Sequence, residues 1–219
     1  YKDILSYFVF KSGLMMKPIF DKARVNPQTV VFAEGEDDRV LRAVRTILDD
    51  NLARPILIGR PEVVKARILK IGIDLTINKD FELVNPEDDD RFKEYWTLYH
   101  SIMQRQGVTP EIAKAIVRTR TTVIAALMVK RGEADAMLAG LTGRFPKVLS
   151  HVEGILGLQE GVVKSSTMSG ISTEYGNFFF CDTYVNPDPS PEEIAETAIM
   201  AAEQLREFGK TPRIAMVSY

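Results

Sequence analysis

The sequence predicts an α/β protein built on a parallel β-sheet. Three observations predict it. Short β-rich runs alternate with amphipathic helical patterns along most of the chain. The helices between them carry start and stop signals, such as Thr109-Pro110 and Gly132. A hydrophobic fraction of 45% over 219 residues is enough for one sizeable core, or a core and part of a second.

In chain order, Met15 to Arg24 reads as a helix with Pro18 tolerated in its first turn, and Asn26-Pro27 ends it. Thr29 to Ala33 is a buried strand. Asp38 to Asp50 is a helix with Val40, Leu41, Val44, Ile47 and Leu48 on one face. Pro55 to Ile58 is the next strand, and Gly59-Arg60-Pro61 turns into a helix reaching about Ile71. Phe81 to Val84 is a short strand. Asp89 to Gln106 reads as a long helix with Phe92, Tyr95, Trp96, Tyr99 and Met103 along a core stripe, opened by the solvated acidic run Glu87 to Asp90.

Thr109 is a good N-cap, and Pro110 suits the first position of the helix that follows. Thr121 to Arg131 is helical, Ala136 to Ala139 is a strand, and Pro146 to Leu156 is a helix. Beyond Gly161 the pattern changes. Val162 to Met168 and Asn177 to Cys181 read as a β pair joined by a Gly/Ser/Thr-rich segment, with Cys181 as a small core residue. Ser190-Pro191-Glu192-Glu193 is a capping box that opens a helix to Phe208, with Ile194, Ala198, Ile199, Ala202 and Leu205 facing inward. Arg213 to Val217 reads as a strand. A domain boundary is expected near His151, giving residues 1–151 and 152–219. The missing initiator methionine and the apolar end suggest a piece of a longer polypeptide.

Composition narrows the function. The net charge of −2 is mixed in sign, so nothing marks a nucleic-acid surface. One cysteine excludes a disulfide framework, and two histidines far apart exclude a histidine-spaced metal site. No segment has the roughly 18 apolar residues of a membrane span. A cytoplasmic setting is expected.

Ligands of open α/β sheets sit beyond the C-terminal strand ends, and two such ends are polar. In Glu34-Gly35-Glu36-Asp37-Asp38-Arg39, Gly35 permits a sharp turn and Arg39 could meet an anion; plain helix capping by the acids is the other reading. In Gly140-Leu141-Thr142-Gly143-Arg144, two glycines free the backbone while Thr142 and Arg144 offer donors before a helix N-terminus; an ordinary flexible loop is the alternative. The glycine spacing fits neither a dinucleotide fingerprint nor a Walker loop. Asp182 and Asn186, in Asp182-Thr183-Tyr184-Val185-Asn186-Pro187, either orient a ligand or satisfy their own turn. These residues alone lead to no reaction.

Several segments together resemble the phosphate acetyl/butyryl transferase family: Val31 to Val40, Lys130 to Met137, Asp182 to Pro187 followed by Pro191 to Glu196, and Pro212 to Tyr219. Within that family the chain resembles most the C-terminal phosphotransacetylase-like domain of bacterial multimodular malic enzymes. Tyr7 to Phe20, Tyr95 to Tyr99 and Arg118 to Thr122 carry that likeness. The resemblance implies a two-domain, three-layer α/β/α phosphotransacetylase architecture, like that of isocitrate and isopropylmalate dehydrogenases. Residues 1–20 would then be a linker and helix from the malic-enzyme side.

It also implies acetyl-CoA or a related acyl-CoA as ligand, no covalently bound cofactor, and a homo-oligomer. NADP and a divalent metal would belong to a malic-enzyme catalytic domain on the same polypeptide. In the family, arginines hold the phosphoryl end and an aspartate takes the CoA thiol proton. One family arginine position corresponds to Ser150 here, and a second to Met103, with Arg105 nearby. Ser218 falls on the family's serine-rich loop, and the remaining catalytic arginine and aspartate would lie beyond Tyr219. The implied function is regulation of a malic enzyme by acyl-CoA. An active phosphate acetyl- or butyryltransferase and a purely structural oligomerisation module are the alternatives.

Overall fold

The computed structural model describes residues 13, 16–173 and 175–217. Residues 16–25 form helix α1; Met15, the rest of the Tyr7 to Phe20 segment that precedes residue 16 apart from Gly13, and Ser218 lie outside the described residues. The chain forms two compact units, one of Ala23–Gly157 and one of Tyr1–Lys22 with Leu158–Tyr219.

The Ala23–Gly157 unit is a four-stranded parallel sheet in the order β3-β2-β1-β4. The strands are β1 (Gln28–Phe32), β2 (Ala53–Ile58), β3 (Glu82–Val84) and β4 (Ala136–Leu138). Side chains alternate across it as strand geometry requires. Val31, Ala33, Ile56, Ile58 and Val84 enter one core with α4 (Phe92–Met103), α5 (Pro110–Thr119), α6 (Thr121–Lys130) and α7 (Phe145–Leu156). Phe32 and Leu57 enter the other with α2 (Asp38–Asp49) and α3 (Pro61–Ile71). This is the three-layer α/β/α arrangement.

Helix α6 is buried along Thr122–Met128, which explains its lack of amphipathic pattern. The aromatic stripe of α4 is core, with Tyr95 and Tyr99 buried. That helix is shorter than the sequence suggests. Asp89 bonds the backbone N–H and guanidinium of Arg91, so the acidic run stays in a turn and the helix begins at Phe92. It tightens to a 3₁₀ turn over Gln104–Gln106.

In the other unit, β5 (Met168–Thr173) and β6 (Gly176–Cys181) pair antiparallel, from Met168 with Cys181 to Thr173 with Gly176. The first strand is therefore the Ser/Gly/Thr-rich segment itself rather than Val162 to Met168, and the pairing of Thr173 with Gly176 sets its register. The capping box of α8 (Pro191–Glu207) forms as expected: Ser190 Oγ accepts from Glu193 N, and the Glu193 carboxylate accepts from Ser190 N at 2.9 Å.

Three expectations for this unit are corrected. Cys181 is exposed: it ends β6 on a hollow that Met200 and Gln204 of α8 also line. On α8 only Ala202 is buried, while Ile194 and Ile199 are exposed, because a two-stranded hairpin covers little of a helix of this length. Residues 211–217 form no strand, as no described strand pairs with them. No described helix is long and apolar enough to cross a membrane.

Candidate functional site

The strand order places β1 between β2 and β4, so the connections leaving β1 and entering β4 run to opposite sides. The point where they diverge is where open α/β sheets bind ligands. The two polar loops predicted from sequence follow these two strands, and the structure joins them: Glu34 Oε1 accepts from Gly140 N at 2.9 Å. Glu34 is thus a clamp between loops. Gly35 N donates to Ile58 O at 3.0 Å. A side chain at Gly35 would meet Ile58 O at 2.7 Å and Leu57 Cβ at 2.9 Å, so this close approach of β1 and β2 requires glycine. Gly140 and Gly143 hold φ of +108° and +92°, conformations that other residues adopt only at a cost.

Beyond the ends of β1, β2 and β3 lies a hollow of about 630 Å³, lined by Glu34, Asp38, Arg39, Arg60, Arg118, Thr142 and others. Its arginines are mostly engaged. Arg39 Nε and Nη2 hold Asp37 at 2.9 and 2.8 Å. Arg60 holds Glu36 through two bonds of 2.8 Å, and Arg67 lies 3.5 Å from Asp38. Asp37 also caps α2 by accepting from Arg39 N. The Arg39 bonds hold the Asp37 carboxyl at about 2, and the Arg60 bonds lower that of Glu36. Both readings of the first loop therefore meet in one place: its acids cap and pair, and Arg39 already has an anion.

Arg118 differs. Its guanidinium stands 4.5 Å from the Phe92 ring centroid, and among the described residues it has no carboxylate partner. Arg118, Thr121, Arg60 and Arg67 were not candidates on sequence grounds. The signal available was Arg118-Thr119-Arg120-Thr121, a basic and hydroxylic run leading into a helix buried along Thr122–Met128.

Arg144 is exposed at the N-cap of α7. Ser150, also exposed, donates through Oγ to Lys147 O at 2.9 Å. Met103 packs against the core near Gly154, and Arg105 sits in the exposed 3₁₀ turn. The Nε2 of His151 is buried without a hydrogen-bond partner. Burial, then Lys147 and Arg120, push the His151 imidazole down.

In the other unit, Asp182 is occupied by its own turn. Its carboxylate accepts from Thr167 N at 3.0 Å, Asn186 N at 2.7 Å and Asn186 Nδ2 at 2.8 Å, and more weakly from Tyr184 N and Val185 N. Burial raises its pKa, but the bonds from Thr167, Asn186 and Val185 outweigh that and hold it at about 2. Asn186 Nδ2 also reaches Ser165 O at 2.9 Å. Among the described residues, no group of three or more His, Cys, Asp or Glu side chains could hold a metal ion.

Comparison with known proteins agrees with this architecture. At 49% identity over 220 residues the chain is similar to the NAD-dependent malic enzyme of Rhizobium meliloti, and at 48% over 219 residues to the NADP-dependent malic enzyme of Salmonella typhimurium. Each alignment covers 100% of this chain but 29% of the relative. The chain thus spans under a third of the length of these curated relatives. It is 30% identical, over 92% of its length, to the phosphate acetyltransferase of Nitratidesulfovibrio vulgaris, of which it covers 28%.

A phosphotransacetylase from Streptococcus pyogenes superimposes with a TM-score of 0.85 at 26% identity, covering 93% of this chain and 61% of that one. The EutD phosphotransacetylase from Staphylococcus aureus shares the fold, with a TM-score of 0.80 at 23% identity over 90% of this chain and 58% of that one. The family described as phosphate acetyl/butaryl transferase matches residues 14–219, and the chain, with its phosphotransacetylase fold, belongs to that family.

Proposed function

We propose that this chain is an acyl-CoA-binding regulatory and oligomerisation domain of a malic enzyme, in which acetyl-CoA or a related acyl-CoA biases catalysis elsewhere on the polypeptide. The observation that carries the reading is the contrast in similarity: 48–49% identity to malic enzymes along the full chain, against 30% to a phosphate acetyltransferase. The parent reaction is oxidative decarboxylation of malate to pyruvate. Its nicotinamide cofactor and divalent metal belong to the catalytic domain, and the relatives include both NAD- and NADP-dependent enzymes.

The site chemistry supports loss of transfer activity. Moving an acetyl group between phosphate and CoA needs a deprotonated thiol and a neutralised phosphate. The position implied for one phosphate-holding arginine carries Ser150, whose hydroxyl is turned to its own helix backbone. Arg39, Arg60 and Arg67 are each beside a carboxylate. Loss of one donor that acts in the transition state costs on the order of 10²–10³ in rate. Regulation requires that the acyl-CoA bind two states of the polypeptide unequally.

A second reading, an active transferase, is favoured by the 30% identity to a phosphate acetyltransferase. One experiment separates them: calorimetric titration of the full polypeptide with acetyl-CoA, with CoA-dependent acetyl phosphate consumption and malate oxidation measured on the same sample. Binding that changes malate oxidation without acetyl phosphate turnover is the expected result. Turnover at transferase rates would establish the second reading, and absence of binding would leave the domain structural.

A further inference from the structure

We draw no further inference here: the strongest candidate, the hollow of about 640 Å³ that Met168 and Cys181 of the β5–β6 hairpin line together with Met200 of α8, carries nothing, because one cysteine beside two thioethers names no ligand and nothing in the structure shows what covers that face.

Discussion

At Gly35 a methyl group has nowhere to go: its neighbours at 2.7 and 2.9 Å are the backbone of Ile58 and the Cβ of Leu57. Gly35→Ala is expected to cost about 1–3 kcal/mol in a urea titration, the usual penalty of overpacking. Asp182 is the corresponding fixed point of the other unit. Its folded pKa of about 2 lies below the ordinary 3.8. Its contribution to stability is therefore complete above pH 4 and is lost as the pH falls from about 4 towards 2. Asp182→Ala should lower stability by about 2–3 kcal/mol at pH 7, since several donors lose their acceptor together. The difference from the parent should shrink at pH 2–3, measured by denaturant midpoints across pH. The sequence offered a turn role for each residue beside a ligand role and did not decide between them. Glycine after a strand and an acid before Asn-Pro are compatible with ligand binding and with structure alike, and only the distances separate the two.

Helix boundaries were legible wherever a local signal sets them. Ser190, Thr109 and Asp37 each cap as their positions suggest, because a cap depends on three or four consecutive residues. Ser190→Ala removes one half of the capping box and is expected to cost about 1 kcal/mol, with a matching loss of helical ellipticity at its midpoint. The four strands of the parallel sheet were legible from their short apolar runs, but two segments beyond Gly161 were not. The β5 strand is a Ser/Gly-rich run that becomes a strand because Phe178–Phe180 pair with it. The apolar residues 214–217 have strand composition but no described neighbour to supply hydrogen bonds. The start of α4 was misplaced by three residues because the Asp89–Arg91 ion pair competes with the first helical turn.

On the scale of the molecule, the contacts gather into two units, and α7 runs through His151 to Leu156 before the first unit closes at Gly157. The segment after it, with Glu160 exposed and without regular structure, should be the first point of attack of a glutamate-specific protease. Limited digestion followed by mass spectrometry is expected to give a fragment beginning at Gly161, with the Ala23–Gly157 unit remaining folded. The sequence by itself determined the fold class, the order of elements and the family, because hydrophobic period, caps and glycine turns are local and survive without knowledge of what packs where. Tertiary structure decided how the candidate residues are used. The Glu34 clamp on Gly140 and the pairing of Arg60 with Glu36 join positions that only the parallel sheet and its crossovers bring together. A side chain's role in a site depends on which charges stand beside it in space, and that proximity is absent from the order of the residues.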